Sequence, residues 1–221
     1  MFGGTGDDTF NLDADNIGQL AAGPTGGQLA RIAGGNGIDT IALAGSGLTL
    51  NLRQIANQAA GNPDGGSRID SVERIDLTGT GNNTLTLDPA DIRDMAGMNL
   101  FNDGNGWTGL GTTVAKHQLL VEGNAGDVIN ASGYWNAAGT ITVNGQTYAV
   151  YNDTSSATQL LVDTGLVDST SAARRAIAEG GVYLNNIKVD AQDALLEGHI
   201  LPSRMAVLRR GKKTLAGIFV E

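Results

Sequence analysis

The chain opens on the stretch Gly3-Gly4-Thr5-Gly6-Asp7-Asp8-Thr9-Phe10, and its pattern returns as Gly34-Gly35-Asn36-Gly37-Ile38-Asp39-Thr40-Ile41. Both stretches have the form Gly-Gly-x-Gly-x-Asp-x-apolar, which is the pattern of nonapeptide β-helix repeats. Glycine adopts positive φ without a steric penalty, so each stretch predicts a tight turn. The apolar residue that follows, Phe10 or Ile41, is predicted to begin a short strand that faces the core.

These turns also predict a metal ion, because their carbonyl oxygens can point at one spot where an Asp adds a carboxylate. An all-oxygen cage of irregular geometry suits Ca²⁺, and two full matches favour Ca²⁺ as the cofactor. The alternative is a pair of ordinary loops whose aspartates cap their own backbone. The predicted metal residues are Gly3, Gly4, Gly6, Asp8, Gly34, Gly35, Gly37, Asp39 and Asp127.

Spacing and composition limit the fold. The two motifs stand 31 residues apart rather than nine, which excludes a regular roll and leaves each ligand set incomplete. Glycine accounts for 33 of 221 residues, roughly twice average usage, and aromatic residues for 5%. This composition is typical of a loop-rich β protein. The chain has no cysteine, so disulfides and thiolate metal sites are excluded. The start, Met1-Phe2, leads straight into the motif, and we expect a fragment of something longer.

Charge divides the chain into two parts. Residues 164–221 contain eight Lys/Arg and six Asp/Glu, which gives a net charge of +2. Residues 1–163 contain six Lys/Arg and seventeen Asp/Glu, which gives a net charge of −11. A basic part that follows an acidic part indicates two units with different partners. We therefore expect one domain over residues 1–163 and a second over residues 164–221.

The first unit reads as a series of short strands. Leu48, Leu50 and Leu52 alternate with polar residues, and Asn144-Gly145 lies between two alternating runs as in a type I′ hairpin. A turn containing Asp or Asn precedes an apolar strand near Asp8, Asp39, Asn83 and Asp127, at irregular separations. The pattern predicts a mainly β fold, an irregular calcium β-roll or solenoid-like domain with long insertions.

A few polar and aromatic residues suggest a ligand site in this unit. Trp107 and Trp135 lie in glycine-rich or polar stretches, and Asp103 and Asn105 stand near the first of them. We expect these four residues to line a peptide or sugar site. The competing interpretation is that the tryptophans fill the core.

Residues 1–163 resemble a domain of giant bacterial repeats-in-toxin adhesins. The resemblance rests on the phrases GGTGDDTF, GGNGIDTIALAGSGLTLNL, IDSVERIDLTGTGNNTLTLDPADI, LLVEGNAGDVI and GQTYAVYND. It implies a calcium-dependent extracellular module that binds a peptide or carbohydrate. At Asp127 the motif carries Ala125 in place of one glycine, so the match is incomplete there.

The second unit has a different sequence pattern, with a predicted helix and a basic hairpin. Ser171 and Gly180-Gly181 bracket a predicted helix, and Met205–Leu215 reads as a hairpin with basic residues at its bend. The basic residues could form one cationic face for phosphates, or simply a solvated surface. The predicted RNA-binding residues are Arg174, Arg175, Arg209, Arg210, Lys212 and Lys213.

Residues 165–221 resemble the C-terminal RNA-binding domain of bacterial tyrosyl-tRNA synthetases. The phrases that carry the resemblance are GLVDSTSAARRAIAEGGVYLNNIKVD and MAVLRRGKKTLAGIFV. The resemblance implies a small α/β fold that binds tRNA and whose parent is cytoplasmic. The synthetase signatures His-x-Gly-His and Lys-Met-Ser-Lys-Ser do not occur in the sequence, so we expect no enzyme activity.

The two resemblances imply different compartments, outside the cell for the first and cytoplasm for the second. We therefore expect an engineered fusion joined within Leu160–Leu166, with the calcium-dependent adhesin module as the main function. The alternative is a tRNA-binding or RNA-binding protein, a synthetase fragment, whose acidic part is only a β scaffold. No apolar run in the sequence is long enough to span a membrane.

Overall fold

The computed structural model describes residues 1–22, 30–55, 67–124, 126–163, 180–185, 187–188, 205–210 and 214–219. These ranges are mainly β, and they contain two α-helices, α1 (Ala14–Ala21) and α2 (Pro89–Met95), and two 3₁₀ turns, Leu52–Gln54 and Asp103–Asn105. The strands are β1 (Phe2–Thr5), β2 (Thr9–Leu12), β3 (Ile32–Asn36), β4 (Thr40–Leu43), β5 (Thr49–Asn51), β6 (Ile69–Asp70), β7 (Arg74–Asp76), β8 (Thr84–Leu87), β9 (His117–Glu122), β10 (Val128–Ala131), β11 (Trp135–Val143), β12 (Gln146–Asp153), β13 (Thr158–Asp163), β14 (Val182–Leu184), β15 (Ile187–Lys188), β16 (Met205–Arg210) and β17 (Thr214–Phe219).

The strands from β1 to β10 form a stack of parallel rungs. Sheet A has the order β1-β3-β6, sheet C the order β10-β8-β5, and sheet B the order β11-β12-β13-β9-β7-β4-β2. The first rung consists of β1 and β2, the second of β3, β4 and β5, the third of β6, β7 and β8, and the fourth of β9 and β10. Every pairing between neighbouring rungs is parallel. The second and third rungs thus pass once through each of the three sheets, whereas the first rung has no described strand in sheet C and the fourth has none in sheet A.

The registers show how the rungs are aligned. Thr9 pairs with Thr40, and Thr40 pairs with Arg74, so the strands that follow the two glycine motifs lie side by side in sheet B. Gly4 likewise pairs with Gly35 in sheet A. Because paired positions in neighbouring rungs have the same orientation, one apolar position in each rung lines up with the next.

Aligned apolar residues fill the space between the sheets. The main core includes Phe10, Ile41 and Ile75 from successive strands of sheet B, together with Leu50 and Leu85 from sheet C. All five are buried. Burial of such a side chain contributes roughly 1.5–3 kcal/mol relative to exposure.

Sheet B has a second apolar cluster on its other face. Leu119 and Val121 of β9 pack in the main core, whereas Leu120 packs in a cluster with Phe101 and Tyr148. This alternation follows from the period of two along a strand. The loop that precedes β9 therefore covers the outer face of sheet B.

A buried amide network fixes that loop to the sheet. The Gln118 side chain is fully buried; it accepts a hydrogen bond from the Phe101 N–H at 2.9 Å and donates to the Phe101 carbonyl at 2.8 Å. Its Nε2 also donates to Gln159 Oε1 at 2.8 Å, and Gln159 in turn donates to Asn152 Oδ1 at 3.0 Å. Buried amides lower stability when they lose a partner, so this network specifies one position for the loop.

Both helices begin with an aspartate N-cap, Asp13 for α1 and Asp88 for α2. Asp88 precedes α2, accepts from the N–H groups of Ala90 and Asp91, and is followed by Pro89 in the first turn. The Asp91 side chain accepts from the Asp88 N–H at 2.8 Å, which completes a capping box. The sequence Asp88-Pro89, an N-cap followed by a proline in the first turn, thus specifies the start of α2.

The remaining strands pair antiparallel with one another, while β13 pairs in parallel with β9 and so joins β11 and β12 to the stack. The hairpin β11–β12 turns at Asn144 and Gly145, with φ of 51° and 84°, and it continues into β13. This confirms the hairpin predicted from Asn-Gly. Strands β14 to β17 form a separate antiparallel sheet D in the order β15-β14-β16-β17, and the turn between β14 and β15 places Asn185 at φ 49°.

These observations decide part of the predicted fold class. The prediction of a mainly β protein is confirmed, whereas the described residues do not show a calcium β-roll. The predicted helix from Ser171 to Glu179 lies outside the described residues, and of the predicted junction within Leu160–Leu166 only residues 160–163 are described. The proposed domain boundary stays a prediction.

Tight contact between rungs predicts the effect of adding a methyl group at Gly34. A Cβ there would collide with the Ser71 carbonyl oxygen and with Asp39 Oδ2. We expect Gly34→Ala to lower the free energy of unfolding by about 1–3 kcal/mol, as overpacking does. Gly18→Ala is the control, because Gly18 lies in α1 with open space at its Cβ position and should gain about 0.5–1 kcal/mol. Urea unfolding measures both, and equal stability of the two variants would contradict the packing argument.

The cap of α2 predicts a pH effect. Burial raises the pKa of Asp91 to about 6, and the nearby Asp88 carboxylate adds to the rise. Because the folded pKa lies above the ordinary 3.8, the folded chain binds this proton more tightly than the unfolded chain. The resulting stabilisation is complete below about pH 4 and is lost as pH rises through about 6, a difference of about 2–3 kcal/mol.

Asp91→Asn should remove that pH dependence while it keeps an oxygen for the Asp88 N–H. We expect the wild-type chain to gain stability relative to Asp91→Asn when the pH falls from 7 to 4, in parallel urea titrations. Asp15→Asn, at an exposed position in the first turn of α1, serves as the control. If wild type and Asp91→Asn show the same pH profile, the burial argument is wrong.

Candidate functional site

Three acidic residues form a column along the turns that enter sheet B, which we call the acid column: Asp8, Asp39 and Glu73. Asp39 Oδ1 accepts from the Asp8 N–H at 2.8 Å, and Glu73 Oε2 accepts from the Asp39 N–H at 3.0 Å. The carboxylates of Asp39 and Glu73 thus each satisfy a backbone donor of the rung before them. The column joins the first three rungs through charge-assisted hydrogen bonds, which are stronger than neutral ones.

Glu73 belongs to the acid column, although the glycine motif does not predict it. It follows Ser71-Val72 rather than a glycine pair, but Glu73-Arg74-Ile75 has the same acid-x-apolar order as Asp8-Thr9-Phe10 and Asp39-Thr40-Ile41. This short order was the available signal. Because the acid immediately precedes the strand in all three rungs, the alignment of the strands aligns the acids.

Two carboxylate oxygens of the acid column are buried and unpaired. Asp8 Oδ2 and Asp39 Oδ2 have no hydrogen-bond partner among the described residues. A Cβ at Gly3 would lie 2.6 Å from Asp8 Oδ2 and 2.5 Å from the Gly34 carbonyl oxygen. Each unpaired carboxylate oxygen therefore shares a small space with a backbone carbonyl oxygen of the next rung, Gly34 for Asp8 and Ser71 for Asp39.

Burial disfavours negative charge on the carboxylates of the acid column when no cation or proton is present. Burial is the main reason that the pKa of Asp39 is raised, and the carboxylates of Asp8 and Asp7 raise it further. Burial likewise raises the pKa of Glu73 to about 7, with Asp39 as a further contributor. A bound cation or a proton would relieve this repulsion. Among the described residues, no group of three His, Cys, Asp or Glu side chains is arranged to hold a metal, so any cation here would depend on backbone oxygens.

The structure separates the predicted metal residues into two places. The six predicted glycines lie in the first and second rungs around Asp8 and Asp39: Gly3, Gly4, Gly6, Gly34, Gly35 and Gly37. Asp127 lies elsewhere, at the turn that enters sheet C. Its Oδ1 accepts from the Asn83 N–H and its Oδ2 from the Asn124 N–H, each at 2.8 Å, so its carboxylate serves as a backbone acceptor there.

The residues of the predicted ligand site lie in two places. Asp103, Asn105 and Trp107 share one loop, whereas Trp135 lies at the start of β11. Trp107 packs edge-on against Phe101, with ring centroids 4.7 Å apart, on the outer face of sheet B. Trp135 packs against the main core on the opposite face, and its Nε1 donates to the Ser132 carbonyl. Both tryptophans therefore fit the core-filling interpretation better than a position at one shared ligand site.

The polar pair near Trp107 stabilises its own loop. Asp103 Oδ1 accepts from the N–H groups of Gly109 and Gly111 at 2.8 and 3.1 Å. Asn105 Nδ2 donates to the Leu100 carbonyl at 2.8 Å. These contacts account for both residues without a ligand.

Sheet D carries two of the predicted RNA-binding residues. Arg209 and Arg210 are the last residues of β16, opposite Tyr183 and Val182 of β14 respectively. Tyr183 is half-buried and Val182 is buried, so the two arginine positions alternate between the two faces of the sheet. Lys188, which is exposed, lies opposite Tyr183 from β15. Arg174, Arg175, Lys212 and Lys213 lie outside the described residues.

Comparisons with known proteins concern the C-terminal part. Residues 144–216 match the family model described as "Tyrosine--tRNA ligase SYY-like C-terminal domain". The matched range begins in the β11–β12 turn and ends within β17, so it includes β12 and β13 of sheet B and most of sheet D. No solved structure matches.

Curated relatives agree with the family model. A tyrosine–tRNA ligase of Leifsonia xyli subsp. xyli is 62% identical over 63 residues, which is 28% of this chain and 14% of the relative. The ligase of Kineococcus radiotolerans is 56% identical over 63 residues, with 28% and 15% covered, and that of Acidothermus cellulolyticus is 56% identical over 59 residues, with 26% and 14% covered. The chain thus spans about one seventh of the length of the relatives it matches.

The predicted adhesin function is wrong. The comparisons find that the C-terminal part is similar to the C-terminal domain of tyrosine–tRNA ligases, and they give no support to a repeats-in-toxin segment, a secreted location or an extracellular ligand. The physical reason is that the misleading residues have roles inside the stack. Gly34 leaves room for the next rung and Asp39 accepts a backbone N–H, so stacking alone gives these glycine and aspartate residues a structural role.

Two further predictions concern a membrane span and enzyme activity. None of the described helices is both long and apolar enough to cross a bilayer. The ligase relatives are matched only in their C-terminal domain, and the absence of enzyme activity in this chain stays a prediction.

Proposed function

We propose that this chain binds RNA through its C-terminal part, with tRNA as the class of ligand. The supporting observation is the match of residues 144–216 to the C-terminal domain family of tyrosine–tRNA ligases, together with 62% identity over 63 residues to one such ligase. Binding of a tRNA would place the working chain in the cytoplasm, and the proposal needs no catalytic residue.

The charge distribution supports a localised RNA contact. Residues 164–221 have a net charge of +2, whereas residues 1–163 have a net charge of −11 and would repel a polyanion. Phosphate contacts would therefore concentrate on the basic residues of the C-terminal part. Arg209 at the end of β16 and Lys188 on β15 occupy register positions on either side of Tyr183.

Salt dependence tests the RNA proposal. We expect the chain to bind tRNA and to lose affinity as salt rises, with a log–log slope of about −0.7 to −0.9 for each phosphate contacted. Arg209→Ala combined with Arg210→Ala should make this slope shallower by about one to two contacts in fluorescence anisotropy titrations. Arg53→Ala is the matched control, since it removes an exposed arginine from the acidic part. Absence of tRNA binding at low salt, or an equal loss of affinity in the control, would contradict the proposal.

We further propose that the acid column holds a Ca²⁺ ion between rungs. The supporting observation is the pair of buried, unpaired oxygens, Asp8 Oδ2 and Asp39 Oδ2, each beside a backbone carbonyl oxygen. Carboxylate and carbonyl oxygens are the ligands that Ca²⁺ prefers. The competing role, in which the carboxylates only accept backbone hydrogen bonds, explains one oxygen of Asp39 but not the other.

Thermal melts with Ca²⁺, with Mg²⁺ and with chelator test the calcium proposal. A ligand bound only by the folded chain raises the melting temperature, and at one hundred times its Kd it adds about 2.7 kcal/mol. We expect Ca²⁺ to raise the melting temperature of the wild type more than Mg²⁺ does, and Asp39→Asn to remove this shift. Asp127→Asn, outside the acid column, should retain it. The same melting temperature in Ca²⁺ and in chelator would contradict the proposal, because the acid column would then contribute to stability without a cation.

A further inference from the structure

The turn that enters sheet C in the third rung, residues 79–83, repeats the turns of the acid column with one change. Its sequence continues into β8 as Gly79-Thr80-Gly81-Asn82-Asn83-Thr84-Leu85, which has the form Gly-x-Gly-x-Asn-Thr-apolar. Residues 4–10 and 35–41 have the same form with Asp in place of Asn. Asn83 is fully buried. The chain therefore carries an amide at a position where two other turns carry a carboxylate.

The first side-chain oxygen has the same partner in both kinds of turn. Asp39 Oδ1 accepts from the Asp8 N–H at 2.8 Å, and Asn83 Oδ1 accepts from the Leu48 N–H at 2.9 Å. Both donors directly precede a threonine, and each of these threonines pairs in register with the threonine that follows the acceptor. Asp39 and Asn83 thus occupy equivalent positions relative to the rung before them.

The second side-chain atom is where the two turns differ. Because Asn83 Oδ1 accepts an N–H, the other terminal atom is the amide nitrogen, and it donates to the carbonyl oxygens of Gly45 and Leu77, each at 3.1 Å. In Asp39 the second atom is Oδ2, which is buried and has no hydrogen-bond partner in the described part of the chain. A donor therefore faces backbone oxygens at Asn83, whereas Asp39 presents a further oxygen.

Glycines beside the two side chains report the same crowding. A Cβ at Gly79 would lie 2.4 Å from the Leu43 carbonyl oxygen and 3.5 Å from Asn83 Nδ2. A Cβ at Gly34 would collide with Asp39 Oδ2 and with a carbonyl oxygen of the third rung. Both side chains thus end close to backbone carbonyl oxygens of a neighbouring rung, where there is no room for another side chain.

Asp127, in the fourth rung, shows a carboxylate that is satisfied by the backbone alone. Its Oδ1 accepts from the Asn83 N–H and its Oδ2 from the Asn124 N–H. Both oxygens face donors, so hydrogen bonding at Asp127 is complete without a cation. The turns that enter sheet C are accordingly satisfied at both Asn83 and Asp127.

We propose that Asn83 confines calcium dependence to the acid column, because its amide nitrogen takes the place that a cation would occupy beside Asp39. This role of Asn83 rests on the proposed Ca²⁺ site of the acid column. Asn83→Asp should turn residues 79–83 into a further Ca²⁺ site, since the carbonyl oxygens of Gly45 and Leu77 are already directed at the side chain and are ligands of the kind that Ca²⁺ prefers.

Hydrogen exchange of the wild-type chain in Ca²⁺ and in chelator tests the confinement. The Asp8 N–H, which is bound to Asp39, should exchange about tenfold faster or more in chelator, because the ion no longer holds its acceptor in place. The Leu48 N–H, which is bound to Asn83, is the internal control and should keep its rate. An equal acceleration at both amides would overturn the confinement.

Thermal melts and urea titrations of Asn83→Asp test the role of the amide. In chelator we expect the unfolding equilibrium constant of this variant to rise about tenfold or more, because an unsatisfied carboxylate oxygen then faces two carbonyl oxygens. Ca²⁺ should reverse this loss, so its melting temperature should rise more with Ca²⁺ than that of the wild type. Asn82→Asp is the matched control, since it adds the same charge at the neighbouring exposed residue and should respond to Ca²⁺ as the wild type does.

The outcomes separate this inference from the proposal for the acid column. Equal calcium responses of Asn83→Asp and Asn82→Asp would overturn the role of Asn83, as would failure of Ca²⁺ to restore an Asn83→Asp chain that is unfolded in chelator. A wild type that does not respond to Ca²⁺, beside an Asn83→Asp variant that does, would overturn the Ca²⁺ site of the acid column and support the exclusion of an ion by Asn83.

Discussion

The constraint on which the structure depends is the register between neighbouring rungs. The Asp39 carboxylate accepts from the backbone of the first rung, and the Glu73 carboxylate accepts from the backbone of the second. A slip of one residue would break these bonds and turn Ile41 and Ile75 away from the core. Charged side chains and apolar burial therefore fix the same alignment, although each acts through a different force.

The same constraint explains why the acids look like a metal site. Stacked rungs bring their turns together, and with them the carboxylates that precede each strand of sheet B. The charge that fixes the register also creates repulsion, and burial together with this repulsion raises the pKa values of Asp39 and Glu73. Register and electrostatics are thus opposed at one place in the molecule, and the fold has to resolve this conflict with hydrogen bonds, protons or a cation.

Local patterns predicted local structure well. Asn144-Gly145 specifies a tight turn through backbone conformation, and Asp88-Pro89 specifies a helix start through hydrogen bonding, so neighbouring residues contain the whole signal. Glu73 could not be placed in the acid column from its neighbours alone, because its partner Asp39 lies 34 residues away. The function of the glycine motifs was harder still to predict from sequence, because one Asp can serve as a backbone acceptor or as a metal ligand within the same turn.

The distance along the chain between paired strands has a consequence for how the protein reaches this fold. Asp39 and Glu73 stand 34 residues apart, and Asn83 and Asp127 stand 44 apart, so each rung must close a long loop before its first bond forms. Loop closure costs entropy that grows only slowly with length, but non-local pairing lowers folding rates steeply. The stack should therefore fold on a timescale of about milliseconds to seconds, as domains dominated by non-local pairing do, whereas a hairpin such as β11–β12 forms in about 1–10 microseconds.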